Sequence, residues 1–290
     1  MTMRPENPAL ISDSVGEPNV GDSPPPKTPS SKRWTRFILP TYTTLFILYL
    51  IIPIVVMIVF AFNTPSGRYN IKWEHASLDA WRNLFSYPDL STSLKLSLEV
   101  AFVATIVATI LGTFLGLALG RYRFRGAGAM SFVIFLAIAS PEIVLGSSML
   151  SMFVNARVPQ GFVTILLAHI MFCISFVAIT VRARVQGLDQ SMENAAQDLF
   201  ANPRVAFFRV TLPIILPGIV AGFLLALVLS LDDFVITNFV KGSSSTFPTW
   251  VFGATRLGVP PQVNVWGTVL FLAGVFAAGL QILRARGAED

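Results

Sequence analysis

Charged residues are scarce in this chain, since only 13% of its 290 residues are Asp, Glu, Lys or Arg. A soluble domain of ordinary composition carries about 25% of these residues. The low charge therefore excludes an ordinary soluble protein and indicates one that is embedded in a membrane. The pI of about 9.7 reflects Arg and Lys that flank the apolar runs, as is typical of membrane proteins, and does not indicate nucleic-acid binding.

Cysteine, histidine and the common catalytic motifs are also rare or absent. The single cysteine, Cys173, excludes a disulfide or a cysteine-based metal cluster within the chain. The two histidines, His75 and His169, give little support to a membrane metalloenzyme. No G-x-x-x-x-G-K-[ST] motif is present to cradle ATP phosphates, and neither H-E-x-x-H nor G-x-S-x-G occurs. We therefore expect no cofactor and no metal in this chain, and a membrane enzyme is the least supported functional class.

Long apolar runs are what the sequence has in abundance. A membrane-spanning helix needs about 20 apolar residues, and six stretches meet this requirement, at about 37–62, 97–120, 130–154, 161–181, 212–240 and 263–283. Lipid offers no hydrogen-bond partners to the backbone, so these runs are predicted to be helices. The predicted fold is an all-α integral membrane protein, with a six-span transmembrane domain in residues 34–286.

The ends of the chain and its loops predict the orientation in the membrane. Residues 1–33 are rich in Pro, Ser, Asn and Asp, which predicts a disordered tail, and residues 287–290 form a second short tail. Arg and Lys are more numerous on the side that holds both tails, which predicts cytoplasmic N- and C-termini. The loop 63–94 then lies outside, and apolar residues at helical spacing in its segment 77–90 predict a short helix on the outer membrane surface.

The second span carries Gly112, Gly116 and Gly120 at four-residue spacing. Small residues on one helix face allow a second helix to approach closely. The spacing therefore predicts a tight helix contact, and packing inside the subunit is favoured over contact with a partner subunit.

The longest predicted cytoplasmic loop, residues 182–211, has the pattern of two short helices joined by a bend. Gly187 can end the fourth span, and Asp189 or Ser191 can cap a new helix. Four residues then share one face of that helix: Met192, Ala195, Ala196 and Leu199. The small alanines at its centre would let another surface approach closely. An amphipathic connector that rests on lipid headgroups is an equally good interpretation of this pattern alone.

The second half of the same loop predicts how the chain enters the fifth span. Asn202 followed by Pro203 is a typical helix start, with a capping side chain before a proline at the first helical position. Pro213 and Pro217 follow. Because a proline removes a helical hydrogen bond, these two residues are predicted to break the chain before the span.

This loop resembles the cytoplasmic loop of binding-protein-dependent ABC importer permeases. The motif of that family reads roughly E-A-A-x-x-L-G-A, followed after a gap by F-x-x-V-x-L-P-x-x-x-P-G. Ten positions match: Ala195, Ala196, Leu199, Ala201, Phe207, Val210, Leu212, Pro213, Pro217 and Gly218. Asn194 stands where the family has Glu, and Phe200 stands where it has Gly. If that Gly adopts a positive φ, either the bend shifts to Asn202 or the docking groove differs.

The resemblance implies that the loop is a coupling helix that fits a groove on a separate ATPase subunit. Its coupling residues would be Glu193, Asn194, Ala195, Ala196, Asp198, Leu199 and Phe200. Glu193 points about 100° away from Asn194 around a helix, so it does not automatically replace the family's Glu.

The resemblance also implies a type I importer permease fold with a defined set of partners. These are a pair of ATPase subunits that bind ATP and Mg²⁺, a second homologous permease subunit and an extracytoplasmic solute-binding protein. The location implied is the bacterial inner membrane, in contact with the lipid bilayer.

Three further segments resemble the polyamine branch of this family, the spermidine/putrescine permeases. They are "SPEIVLGSSML" (140–150), "LAHIMFCISFVAITVRARVQGLD" (167–189) and "SLDDFVIT" (230–237). Ser175 replaces a proline that is usual there, and Leu96 replaces an asparagine. The resemblance implies import of a polyamine by alternating access. Another small solute, such as an iron complex, an opine or a phosphonate, stays open, as does an autonomous carrier driven by protons through Glu142, Asp232 and His169.

Four charged or histidine side chains lie deep inside the predicted spans: Glu142, His169, Asp232 and Asp233. A charge in the bilayer costs about 2.5–3.5 kcal/mol on insertion scales, so such residues indicate a functional site. At about 1.5 Å per residue, Glu142, His169 and Asp232 reach a similar depth. Carboxylates at one level suit a cationic solute.

Aromatic side chains would complete such a substrate pathway. Phe172 and Phe234 could line the methylene groups of a polyamine or make cation–π contacts with its ammonium groups. Only one of the adjacent Asp232 and Asp233 can point into a pore, so the other is expected to cap a helix break or to pair with an arginine. A structural role is equally well supported for Glu142. For His169, a hydrogen bond between neighbouring spans is favoured over a place in the pathway.

Overall fold

The structure, a computed structural model, describes residues 35–189 and 191–286. In chain order its helices are α1 (Thr35–Phe60), α2 (Asp79–Arg82), α3 (Pro88–Arg121), α4 (Ala127–Ala139), α5 (Glu142–Asn155), α6 (Phe162–Gln186), α7 (Ser191–Asp198), α8 (Pro203–Ala206), α9 (Leu212–Asp232), α10 (Val235–Val240), α11 (Phe247–Leu257) and α12 (Pro261–Arg286). A π-helical turn, Phe207–Thr211, joins α8 to α9. Strands β1 (Asn63–Thr64) and β2 (His75–Ala76) pair antiparallel. The predicted tails, residues 1–33 and 287–290, lie outside the described residues.

Among the described residues, five helical runs are long and apolar enough to cross a membrane: Phe37–Phe60, Pro88–Arg121, Phe162–Gln186, Pro203–Asp232 and Pro261–Gln281. The pair α4 and α5 supplies a sixth if it is counted as one bent span. The predicted all-α, six-span fold class is therefore confirmed. The chain divides into two compact units between Pro53 and Ile54. The described part of the first unit is the larger part of α1, and the second unit contains all the elements discussed below.

The core of the second unit is formed by α3, α6 and α9. A Cβ atom at Gly112 would lie 2.7 Å from Val177 Cβ, and one at Gly116 would lie 2.7 Å from the carbonyl oxygen of Ala178. Real Cβ atoms do not approach other atoms so closely, so only glycine permits this contact between α3 and α6. The predicted tight packing within the subunit is confirmed.

Two of the predicted spans are interrupted. The third, 130–154, is not one rod, because α4 and α5 meet at 108° across Ser140 and Pro141. Pro141 disfavours helical geometry at the residue before it, and the Ser140 hydroxyl donates to the carbonyl oxygen of Leu136 at 2.6 Å, which closes the end of α4. The fifth, 212–240, divides between Asp232 and Val235 into α9 and α10.

Two loops between the spans differ from the sequence prediction. The segment 77–90 is not one helix, because α2 ends at Arg82 and Tyr87, just before Pro88, is extended, with φ −108° and ψ 97°. Helix α11 was not predicted. Its signal was a capping residue close to a proline: the backbone N–H of Thr246 donates to Thr249 Oγ1 at 2.9 Å, and Pro248 lies in the first turn.

The entry to the fifth span also corrects the prediction, because the two prolines do not break the chain. Residues Pro203–Asp232 form one helical run. The N–H of Leu212 bonds to the carbonyl oxygen of Phe207, five residues back, which makes a wider π turn directly before Pro213. A π turn accommodates an interrupted hydrogen-bond ladder without ending the helix. Pro217 is then tolerated inside α9.

Candidate functional site

The interruption between α9 and α10 is capped by Asp233. Its Oδ1 accepts the N–H of Ile236 at 3.3 Å, and its Oδ2 accepts the N–H and the hydroxyl of Thr237 at 2.7 and 2.6 Å. A carboxylate that accepts backbone N–H groups at a helix start satisfies donors that have no helical partner. One of the two adjacent aspartates therefore caps a helix break, as the sequence predicted.

His169 of α6 joins both sides of this interruption. Its Nδ1 lies 2.6 Å from the Ser230 hydroxyl in α9, and its Nε2 lies 2.8 Å from the Thr237 hydroxyl in α10 and 3.4 Å from Asp233 Oδ2. All four side chains are buried. Because Thr237 donates to Asp233, its hydroxyl accepts from Nε2–H, and Ser230 then donates to Nδ1. Neutral His169 with the proton on Nε2 satisfies every hydrogen bond in the cluster. The hydrogen bond between neighbouring spans that the sequence favoured is present.

Asp232 has different surroundings from Asp233. Its side chain is exposed, as is that of Glu142 in the first turn of α5. Glu142 lies at the start of α5, and Asp232 lies at the end of α9, just before α10. Helices α5 and α10 pack tightly, since a Cβ atom at Gly146 would lie 2.6 Å from the ring of Phe239. This packing places the two interruptions side by side and brings Asp232 near Glu142.

The two aromatic residues predicted for the pathway, Phe172 and Phe234, lie in different surroundings. Phe172 is buried in the core and makes an edge-to-face contact with Phe176, with ring centroids 4.9 Å apart. Phe234 lies in the interruption itself and packs against Phe252 of α11 at 4.7 Å. The sequence analysis missed Phe252, because nothing local to residue 252 reveals a contact with residue 234.

The predicted two-helix loop is formed by α7 and α8. Asp189 Oδ1 accepts the N–H of Ser191 at 2.8 Å, and Asn202 Oδ1 accepts the N–H of Val205 at 2.9 Å. Both predicted helix starts are therefore confirmed. Gly187 directly follows the last residue of α6, as expected.

Helix α7 ends in a Schellman motif with Phe200 in the left-handed position. The N–H of Ala201 bonds to the carbonyl oxygen of Ala196 at 3.1 Å, and that of Phe200 bonds to the carbonyl oxygen of Gln197 at 2.9 Å. This pair of bonds requires a positive φ at the residue after the cap, which is usually glycine. Phe200 has φ 64°. Of the two alternatives left open by the sequence, the shift of the bend to Asn202 is not observed, because Asn202 is extended, with φ −68° and ψ 158°.

The two apolar residues that directly follow α7 are open to solvent. Leu199 is 82% exposed and Phe200 is 98% exposed. Four other residues that the resemblance predicts for coupling are exposed or half-buried: Asn194, Ala195, Ala196 and Asp198. Within the described residues α7 thus presents an apolar tip that this chain does not cover, which is a surface typical of a docking site.

Glu193 points the other way, into the chain. It forms an ion pair with Arg121 at the end of α3, and its Oε2 accepts the Thr211 hydroxyl at 2.8 Å. Partial burial raises the pKa of Glu193, but hydrogen bonds from Arg121 and Thr211 and the Arg121 charge outweigh this effect and hold the pKa below its ordinary value. The three residues line a cavity of about 210 Å³ beside α7. The sequence did not predict this pairing.

Comparison with known proteins identifies the family. Residues 108–283 match the family described as the binding-protein-dependent transport system inner membrane component. The chain belongs to this family. The match covers every element from the middle of α3 to near the end of α12, including the α7 loop and both interruptions, so the resemblance noted in the sequence is confirmed.

Curated relatives fall in the polyamine branch. The chain is 35% identical over 239 residues to the spermidine/putrescine transport system permease protein PotC of Haemophilus influenzae, a match that covers 82% of this chain and 92% of that protein. It is 35% identical to PotC of Escherichia coli K12 over 82% of this chain and 89% of that one. The putrescine transport system permease protein PotI of E. coli K12 is 42% identical over 51% of this chain and 55% of PotI.

Solved structures agree with this fold. A bacterial ABC transporter that imports the acidic polysaccharide alginate superimposes with a TM-score of 0.65 at 15% identity, covering 87% of this chain and 97% of that chain. The inward-facing MetNI methionine ABC transporter gives a TM-score of 0.53 at 18% identity, covering 71% of this chain and 98% of that chain. At these identities the likeness establishes the fold of an ABC transporter permease.

Proposed function

We propose that this chain is a permease subunit of an ABC importer that moves a polyamine, spermidine or putrescine, into the cytoplasm by alternating access. The PotC and PotI relatives are permeases for these solutes. The observation in the structure that supports this substrate class is the placement of two exposed carboxylates, Asp232 and Glu142, at interruptions of two spans that pack side by side.

The two carboxylates match the chemistry of a polyamine. A linear polyamine has ammonium groups separated by methylenes. Asp232 and Glu142 would pair with the ammonium groups, and Phe234 would contact the methylenes or give a cation–π interaction. Phe172, which is buried, would support the wall of the pathway from behind.

The exposed tip of α7 is proposed to dock on an ATPase subunit that binds ATP and Mg²⁺. Two such subunits, a second homologous permease and an extracytoplasmic binding protein would complete the importer, with this chain's termini and α7 on the cytoplasmic side of the inner membrane. Closure of the ATPase pair would move α7, and the spans would rearrange around the carboxylates. Membership of this family favours that mechanism over an autonomous proton-coupled carrier.

The test uses the complete transporter in proteoliposomes and measures ATP hydrolysis against polyamine concentration. Asp232→Asn and Glu142→Gln are each expected to raise the half-maximal polyamine concentration about tenfold to a hundredfold, because each removes a charged hydrogen-bond partner. Asp79→Asn, a change at an exposed residue of α2, is the matched control and should behave as wild type. Unchanged half-maximal concentrations in both span variants, in complexes that assemble normally, would contradict the proposal.

A further inference from the structure

Asp233 and His169 differ from Asp232 in what their polar atoms contact. The Asp233 carboxylate accepts three hydrogen bonds from Ile236 and Thr237 and lies against His169 Nε2. A carboxylate offers about four acceptor sites, so Asp233 is nearly saturated, and it is only 8% exposed. Asp232, one residue earlier, is exposed. The Asp233 carboxylate is therefore occupied by contacts within the chain, whereas the Asp232 carboxylate is open to solvent.

The cluster fixes the chain on both sides of Asp232. Ser230 lies two residues before it and Thr237 five residues after it, and the two nitrogens of one imidazole ring hold both hydroxyls. The ring itself is carried by α6, which belongs to the packed core with α3 and α9. The end of α9 and the start of α10 are thereby tied to the same rigid helix.

Resting on the proposed function, we infer that His169, Ser230, Thr237 and Asp233 are positioning residues that aim the Asp232 carboxylate at the substrate pathway. They do not contact the substrate. An interruption of a helix leaves its two ends free to swivel unless something holds them. With the hydroxyls held on His169 and the α10 start capped by Asp233, the backbone at Asp232 has one orientation. Polyamine selectivity then depends on hydrogen bonds that the polyamine never touches.

Thr237→Val tests this inference without removing a charge. Thr237 is fully buried, valine has nearly the same shape, and the change deletes the hydroxyl that links His169 to Asp233. The expected result is a rise of about tenfold in the half-maximal polyamine concentration for stimulated ATP hydrolysis by the complete transporter, since one buried polar link is lost on each side. Thr237→Ser, which keeps the hydroxyl, should restore the wild-type value.

The matched control is Thr105→Val in α3. Thr105 is as fully buried as Thr237, and its hydroxyl has no hydrogen-bond partner among the described residues. The same loss of a buried hydroxyl there should leave the half-maximal concentration unchanged. An effect on folding is measured separately, as the yield of assembled complex, and half-maximal concentrations are compared only among complexes that assemble normally.

The outcomes separate this inference from the proposed function. If Asp232→Asn raises the half-maximal concentration and Thr237→Val does not, the positioning role is wrong and the proposed function stands. If Asp232→Asn, Glu142→Gln and Thr237→Val all leave the half-maximal concentration unchanged, the proposed function itself is wrong. A third outcome is that Asp233→Asn raises the half-maximal concentration as much as Asp232→Asn does, while Thr237→Val leaves it unchanged. Asp233 would then bind the substrate directly, and its positioning role would be wrong.

Discussion

At Phe200 the backbone adopts a conformation that is unfavourable for the residue type that the sequence places there. The Schellman motif that ends α7 places residue 200 at φ 64°, where a bulky side chain is disfavoured and glycine is not. In the family motif that this loop resembles, the matching position is glycine, whereas this chain holds an aromatic ring that is 98% exposed. A strained and exposed phenylalanine is expected to persist only if its ring contributes to docking.

Two variants of Phe200 distinguish the effect of backbone strain at residue 200 from the contribution of its aromatic ring. Phe200→Gly removes both, whereas Phe200→Ala removes the ring and keeps the Cβ atom. The glycine variant is expected to protect the amide of Ala201 about fivefold better than the alanine variant, equivalent to about 1 kcal/mol. Hydrogen exchange on the purified chain measures this difference.

The same pair of variants reports on docking. Both should bind the ATPase subunit more weakly than wild type, because both lack the ring. Equal amide protection in the two variants would show that the left-handed backbone is not strained, and unchanged ATPase binding in both would show that the ring is not part of the docking surface.

At the scale of elements, α7 is fastened to α3 and the π turn through Glu193. The ion pair with Arg121 and the hydrogen bond from Thr211 connect the loop to the end of a 34-residue helix that belongs to the core. A movement of α7 would therefore be passed to α3 directly. Glu193 does not need to replace the family's Glu at position 194, because it faces the permease rather than the exposed tip.

Glu193→Gln is expected to loosen α7 by about 2 kcal/mol, since a hydrogen bond to a charged group is lost from a largely buried position. Hydrogen exchange of residues 191–198 measures the change, and Asp198→Asn, at an exposed residue of the same helix, is the control. Equal protection in wild type and Glu193→Gln at neutral pH would contradict this expectation.

The pH dependence of this contact has a defined sign. The pKa of Glu193 is held below its ordinary value of 4.5, so the stabilisation is fully present above pH 4.5 and is lost as the pH falls through the lowered pKa. The difference between wild type and Glu193→Gln should stay constant from neutral pH down to about pH 5 and disappear at lower pH. A difference that already disappears near pH 6 would mean that the pKa is not lowered.

For the whole molecule, the glycine face of α3 against α6 sets how closely the core packs. Gly116→Ala would place a Cβ atom 2.7 Å from the backbone oxygen of Ala178, and backbone cannot give way as a side chain can. The expected cost is about 1–3 kcal/mol of unfolding free energy, seen as a lower thermal transition in detergent.

Gly274→Ala in α12 is the control for this change. Apart from its own stretch of helix, no atom of the described residues lies within 4 Å of a Cβ atom at that position, so the substitution should be neutral or slightly stabilising because alanine favours a helix. Similar losses of thermal stability for both variants would show that the α3–α6 contact is no tighter than the rest of the fold.

Local signals explain which parts of this architecture the sequence predicts. The spans follow from uninterrupted apolar runs, and the starts of α7 and α8 follow from Asp189 and the Asn202–Pro203 pair, all of which act within a few residues. The 108° angle at Pro141, the pairing of Glu193 with Arg121 and the imidazole link from His169 to Ser230 and Thr237 do not follow. The two side-chain contacts join residues that meet only through tertiary packing. The angle at Pro141 is set by how α4 and α5 pack, which the local sequence does not specify. Whether the predicted pathway and coupling residues act as expected stays a prediction.

The two adjoining interruptions also determine where water must go. The last turn of a helix leaves carbonyl oxygens without an intrahelical partner, and both α4 and α9 end at these interruptions. Hydrocarbon cannot solvate such oxygens, and each one left dry costs several kcal/mol. Lipid tails are therefore excluded from this part of the chain, which must be hydrated or covered by a neighbouring subunit at every stage of the transport cycle. In the isolated chain, where no neighbouring subunit covers the interruptions, water-soluble thiol reagents should therefore reach a cysteine placed at Phe234.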